Sequence, residues 1–321
     1  MEYILTTDAL SKQYGHFKVL SGLNLHIPEG AIYGLVGKNG AGKTTFIRLI
    51  CGMQRPTSGS YSLYGTTSGN REIARVRRRM GAVVETPSLY LDMSAAQNLE
   101  MQYRILGLPS FEGIAELLDL VGLADTGKKK AKHFSLGMRQ RLGIAITLAG
   151  EPDFLVLDEP VNGLDPQGIV EIRELILKLN RQRGITVLIS SHILDELAKL
   201  ATHYGFLDGG RMVREVSAAE LEAACRKCIR VTVTDTAALA CLLDERKVEY
   251  RILSGQEADI YAKLDISELV MALAEKGCKV VSMQERDESL ESYYISLVGG
   301  RVQESIQSGK EALPQRGTLH E

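Results

Sequence analysis

Ala31-Ile32-Tyr33-Gly34-Leu35-Val36-Gly37-Lys38-Asn39-Gly40-Ala41-Gly42-Lys43-Thr44-Thr45 decides how the rest of the chain is read. Residues 31–36 are a nearly continuous apolar run, the pattern of a strand covered on both faces. Residues 37–44 fit G-x-x-x-x-G-K-[ST], and residues 43–50 continue as a helix closed by Gly52. Strand, glycine-rich loop and helix in this order predict a phosphate loop. Its glycines let the backbone curl so that N–H groups face phosphate oxygens, and the helix N-terminus adds positive potential. Lys43 would bring a full charge to the β- and γ-phosphates, and the Thr44 hydroxyl would ligate Mg²⁺. The loop by itself specifies a nucleotide, not the work done with it.

A second stretch narrows the chemistry. Phe154-Leu155-Val156-Leu157-Asp158-Glu159-Pro160 is an apolar strand ending in two adjacent carboxylates, which buried strands rarely carry without a use. Beside a phosphate loop, Asp158 is read as a Mg²⁺ holder. Glu159 is read as the base that orients and deprotonates an attacking water.

Strands and helices alternate around these motifs. Strands are expected at 23–27, 31–36, 59–65, 80–84, 154–157, 185–189, 204–207 and 212–216. Helices are expected at 43–50, after the capping Ser94, at 109–123, at 137–149, from Pro166 onward and at 193–200. This alternation predicts an α/β domain with a largely parallel, covered sheet over residues 1–216, a mostly helical insert at about 86–149 included. From about residue 217 the order becomes β-α-β-β-α-β, which predicts a small α+β ferredoxin-like domain over 217–298. A last helix is expected at 290–297, and the polar, aperiodic residues 299–321 read as a disordered tail.

Between these landmarks stand further motifs. Ser135-Leu136-Gly137-Met138-Arg139-Gln140-Arg141-Leu142 precedes the acid pair, Asn162-Gly163-Leu164-Asp165 follows it, and Ser190-Ser191-His192 closes the next strand. These resemble the signature motif, the D-loop and the switch histidine of the ABC ATPases, a P-loop NTPase family. Their order along residues 1–216 is the family's order. The resemblance implies that two ATPase subunits pair head to tail, a homodimer being sufficient. ATP is then clamped between one phosphate loop and the partner's signature. It places Ser135 and Gly137 at the γ-phosphate across that interface, His192 at the γ-phosphate of its own chain, and Tyr14 against adenine.

Two positions depart from the family pattern. The signature carries Leu136 and Met138 where the family norm is glycine and glutamine. Glu85, in Val83-Val84-Glu85-Thr86-Pro87, stands where the family has a glutamine that touches Mg²⁺ and the attacking water. A carboxylate there is both a metal ligand and a third acid that must be balanced. The two departures together resemble the ATPase subunits of bacitracin-type and lantibiotic-immunity exporters. That implies coupling to an integral membrane permease and export of a peptide antibiotic or similar amphipathic compound. The apolar loop Pro87-Ser88-Leu89-Tyr90-Leu91 would receive a short cytosolic helix of that permease.

Composition bounds the alternatives. A formal net charge of −2 gives no bulk attraction to nucleic acid, and no nucleic-acid partner is expected. A soluble ABC ATPase acting on ribosomes or DNA is the competing reading. Such ribosomal factors usually carry two ATPase domains, and DNA-maintenance forms a long coiled coil; only one phosphate loop and no sustained heptads are present. No apolar run approaches the roughly 18–20 residues of a membrane span, and the first residues lack the features of a signal peptide. The chain is therefore expected in the cytoplasm, peripheral on the inner face of the membrane. Cys225 and Cys228 form a C-x-x-C without a second pair or paired histidines at zinc spacing, and read as two small, partly buried side chains. Arg71, Arg75, Arg77, Arg78 and Arg79 read as a solvated basic helix end.

Overall fold

The computed structural model describes residues 2–224, 228–262, 266–286, 293–295 and 297. It divides into two compact units, Met1–Ala218 and Ala219–Glu321.

The first unit opens with two long strands, β1 (Tyr3–Tyr14) and β2 (Phe17–Pro28), followed by β3 (Ile32–Val36) and α1 (Lys43–Ile50). Then come β4 (Ser58–Leu63), β5 (Thr66–Thr67), the short α2 (Ile73–Val76) and β6 (Met80–Val83). The helical insert holds α3 (Ala95–Leu106), α4 (Gly113–Leu120) and α5 (Leu136–Leu148). After it run β7 (Phe154–Asp158), α6 (Pro166–Arg183), β8 (Thr186–Ser191), α7 (Leu194–Ala198), β9 (His203–Asp208) and β10 (Arg211–Ser217). A further helix, α8, spans Ala218–Ala224.

Six strands form the main sheet in the order β10-β9-β3-β8-β7-β6. Every pair from β9 to β6 is parallel, and β10 closes the edge antiparallel. Strands β3, β7 and β8 are buried at every residue, which explains the apolar runs 31–36, 154–157 and 187–189. A second, antiparallel sheet has the order β2-β1-β4-β5. One apolar cluster joins Leu5, Leu25 and Tyr61 of that sheet to Phe46 and Ile47 of α1 and to Phe154 and Leu188 of the main sheet. Helix α1 touches both β2 and β7, so the element that carries Lys43 is held from two sides.

Local signals explain several boundaries. Ser94 and Gln97 form a reciprocal capping box at the start of α3, and Gly107 ends it in the left-handed region. Asp165 caps α6 by accepting from Gly168 N, Pro166 fills its first turn, and Gly184 ends it. Strand β1 is absent from the sequence expectation, and β2 runs well beyond the predicted 23–27. Register shifts along the β1–β2 pairing break the alternation that marks a half-buried strand, and Thr7 and Ser11 are buried polar residues. The helix expected at 109–123 is confined to α4.

The second unit contains β11 (Cys228–Val233), α9 (Thr236–Glu245), β12 (Tyr250–Ile252), β13 (Glu257–Ile260), α10 (Ile266–Glu275) and β14 (Val280–Arg286). Its sheet order is β12-β13-β11-β14, antiparallel throughout. Each β-α-β unit thus has its two strands split by a strand of the other, the arrangement of a ferredoxin-like fold. Its own core is built on Val231, Leu239, Leu243, Ile260, Leu269 and Leu273. Cys225, part of the helix expected at 290–297, and the tail at 299–321 lie outside the described residues.

Candidate active site

In open parallel sheets, ligands bind at the carboxyl ends of the strands. Strands β3, β7 and β8 are adjacent, and at those ends they deliver the phosphate loop, Asp158-Glu159 and Ser190-Ser191-His192. Motifs more than a hundred residues apart in the chain meet there for this reason.

The phosphate loop curls back on itself, with Ala41 N donating to the Lys38 carbonyl at 3.1 Å. Lys38, Asn39 and Gly40 are exposed, Ala41 is buried, and Thr44 and Thr45 are half-buried in the first turn of α1. Gly42 has φ +107°, and a Cβ there would lie 2.7 Å from Leu20 Cδ2, so a side chain meets both strain and a clash. No acidic residue stands in the first turn of α1, which leaves the positive end of the helix unopposed. Lys43 is buried and donates to the Gly37 carbonyl at 2.5 Å.

Glu159 is the hub of the site. One carboxylate oxygen lies 3.1 Å from Lys43 Nζ and the other 2.8 Å from His192 Nδ1. Its backbone is in the left-handed region, φ +49°, uncommon for a residue with a side chain. Ser190, fully buried, fastens the acid pair. Its hydroxyl donates to Asp158 Oδ1 at 2.6 Å and accepts from Glu159 N at 2.9 Å. The sequence reading took Ser190 only as part of the histidine motif. The signal that could have found it is register: Asp158 and Ser190 are direct partners in the β7–β8 pairing.

Asp158 is 1% exposed, and its Oδ2 has no hydrogen-bond partner. A buried carboxylate oxygen left without a donor is costly unless a cation completes it. Among the described residues no three His, Cys, Asp or Glu side chains gather into a metal cage. One carboxylate with a nearby hydroxyl, completed by substrate phosphates and water, is the donor set a hard divalent cation accepts.

Other predicted residues lie around this centre. Ser135 caps α5 by accepting from Met138 N at 3.2 Å, so its partner is its own helix. Gly137 faces Leu164 and Gly168, and Leu136, nearly half exposed, lies over Gly163. The signature and the 162–165 loop therefore form one surface. Tyr14 is 44% exposed at the end of β1; its hydroxyl donates to Gln54, and Lys12 Nζ stands 5.0 Å from the ring centroid. Glu85 has φ +60°, is exposed, and pairs with Arg48 of α1 at 2.7 Å. Just beyond it Pro87 lies against α5 at Gly143, where a Cβ would come within 2.5 Å of the proline.

Comparison with known proteins matches this geometry. The sequence profile of the ABC transporter family covers residues 20–162. The chain is 37% identical over 302 residues to the bacitracin transport ATP-binding protein BcrA of Enterococcus faecalis, covering 94% of this chain and 98% of that protein. The chain belongs to the ABC transporter ATP-binding proteins. It is also 43% identical over 212 residues to the lantibiotic transport ATP-binding protein SrtF of Streptococcus pyogenes, covering 66% of this chain and 90% of that one. Among solved structures it resembles the ATP-binding cassette MJ0796, a dimer bound to ADP and Pi, at 25% identity and a TM-score of 0.60. That match covers 67% of this chain and 98% of the cassette. As an ABC ATP-binding protein the chain binds and hydrolyses ATP, and the ribosome- or DNA-directed reading is not favoured. Among the described residues of this ATPase, no helix is long and apolar enough to cross a membrane.

Proposed function

We propose that two copies of this chain clamp ATP head to tail and hydrolyse it to drive a separate membrane permease that exports a peptide antibiotic or similar amphipathic compound. The observation that carries the hydrolytic assignment is Glu159, held between Lys43 and His192 above the Ser190-braced Asp158. Lys43 exchanges the Gly37 carbonyl and Glu159 for oxygens of the β- and γ-phosphates. Glu159, released from Lys43, accepts the proton of the water whose oxygen bonds to the γ-phosphorus as the bond to ADP breaks. His192, with Nδ1 against Glu159, would stand on the γ-phosphate side and keep the base oriented. Thr44 and Asp158, with Glu85, would hold Mg²⁺, which neutralises charge developing on the phosphate oxygens. Ser135 and the N–H groups at Gly137, at the positive end of α5, would close over the partner's γ-phosphate. Tyr14 would stack on adenine.

The export reading rests on BcrA and SrtF, whose named roles are bacitracin and lantibiotic transport. A place for the permease is at hand in the helical insert. A cavity of ≈ 810 Å³ is lined by Tyr103, Leu106, Leu108, Pro109 and Leu117, with Arg78, Glu112 and Arg183 also on its walls. Apolar walls with mixed charges suit a short amphipathic segment. This docking would keep the chain on the inner face of the membrane.

The test is Glu159→Gln. ATP should bind, turnover should collapse, and an ATP-dependent dimer should accumulate on gel filtration. Parental hydrolysis by this variant would sink the assignment of the base. For export, cells carrying the permease with either the parent chain or Glu159→Gln are challenged with bacitracin and with a lantibiotic. Equal survival of the two strains under every compound would refute the cargo class.

A further inference from the structure

Glu85 brings a third carboxylate to the end of the sheet that already carries Asp158 and Glu159. Strands β6 and β7 are parallel partners with Val83 opposite Leu157, so Glu85 and Asp158 leave the sheet at the same edge. Three acids at one end of a sheet repel one another unless each has a partner. Glu159 has Lys43 and His192, and Asp158 has Ser190. The partner of Glu85 is Arg48, with Nη2 at 2.7 Å from Oε1.

Arg48 is placed for this by helix geometry. It lies four residues after Thr44 in α1, one turn along the same face as the hydroxyl assigned to the metal. Both members of the pair are solvent-accessible, at 37% and 57% side-chain exposure. A pair this exposed forms and breaks easily. Glu85 also has a left-handed backbone, φ +60°, a strained conformation for a residue with a side chain.

Resting on the ATP·Mg²⁺ reading above, we propose that Arg48 is a positioning residue that holds the Glu85 carboxylate away from the metal and yields it when a metal–nucleotide complex enters. Metal binding and loss of the Arg48–Glu85 pair are then linked. Whatever the pair contributes is subtracted from metal affinity, and removing Arg48 restores it. For an exposed pair this is a factor of about three to five.

The experiment is a double-mutant cycle on the full chain, read by electron paramagnetic resonance of Mn²⁺ bound with a non-hydrolysable ATP analogue. Arg48→Gln should tighten Mn²⁺ binding about three- to fivefold. Arg48→Lys, which keeps a cation, should stay near the parent. In the Glu85→Gln background, Arg48→Gln should leave affinity unchanged. Loss of a positive charge near the site would tighten Mn²⁺ in both backgrounds alike, so an equal shift overturns the proposal. So does Arg48→Gln without tightening. If the parent itself fails to bind Mn²⁺ with the analogue, the ATP·Mg²⁺ reading falls first, and the role of Arg48 with it.

Discussion

Removing a single hydroxyl at Ser190 tests how the acid pair is built. Ser190 is fully buried, and its hydroxyl supplies a 2.6 Å hydrogen bond to a carboxylate that is itself 1% exposed. Hydrogen bonds to charged groups contribute about 1.5–3 kcal/mol. The other Asp158 oxygen has no hydrogen-bond partner, so no second donor absorbs the loss. Glu159 N loses the hydroxyl but keeps the Ser190 carbonyl at 3.2 Å, which limits the damage on that side. Ser190→Ala should therefore destabilise the first unit by about 1.5–3 kcal/mol. For a unit of this size that is a fall in melting temperature of about 3–12 °C, measured by calorimetry without nucleotide. In an Asp158→Asn background the same change removes only a bond between neutral groups, and the loss should shrink to about 0.5–1.5 kcal/mol. An equal loss in both backgrounds, or none in the parent, would refute the claim that Ser190 acts through the Asp158 charge. Catalysis gives a second readout, because turnover in Ser190→Ala should fall more than the affinity for ADP.

Gly42→Ala should abolish binding of a fluorescent ATP analogue, because the new Cβ meets Leu20 and a left-handed φ together; retained binding would contradict the geometry. Tyr14→Ala should weaken ADP binding by about 1–3 kcal/mol in titration calorimetry, while Tyr14→Phe keeps most of it, as stacking requires. Gly143→Ala should lower the melting temperature despite the better helix propensity of alanine, since the clash with Pro87 outweighs a gain of at most about 1 kcal/mol. The Cys51 thiol is pushed up to about 12, chiefly by burial. At pH 8 roughly one thiol in ten thousand is then ionised, against about one in four for an ordinary cysteine. Iodoacetamide at that pH should label the exposed Cys241 and spare Cys51, as mass spectrometry would show.

The core of the site was legible because its signals are local. Residues 31–50 carry strand, loop and helix in one stretch, and Leu157-Asp158-Glu159 announces its acids at the end of a buried run. The resemblance then ordered Ser135, Asn162 and His192 around them. Contacts that depend on which strands become neighbours were not legible. Nothing in the sequence pairs Ser190 with Asp158, or Arg48 with Glu85, until β8 and β6 flank β7. Strand β1 was missed for a different reason: its bulges shift the face that each residue presents, so a long strand shows no steady period. Glu85 shows both effects. Its identity was read as an extra acid at the metal, and the structure adds the cation that holds its carboxylate.

The contact between Pro87 and Gly143 ties the 86–91 loop to α5. Gly143 lies eight residues beyond Ser135 in sequence, about 12 Å along α5 at 1.5 Å per residue. With no room for slack at the proline, a push on the 86–91 loop is taken up by the helix as a rigid rod. The far end of the rod carries Ser135 and Gly137, which in the head-to-tail pair proposed above close over the partner's ATP. In that proposed pair, a force arriving at one copy would be delivered to the nucleotide of the other, each half geared to its neighbour's fuel.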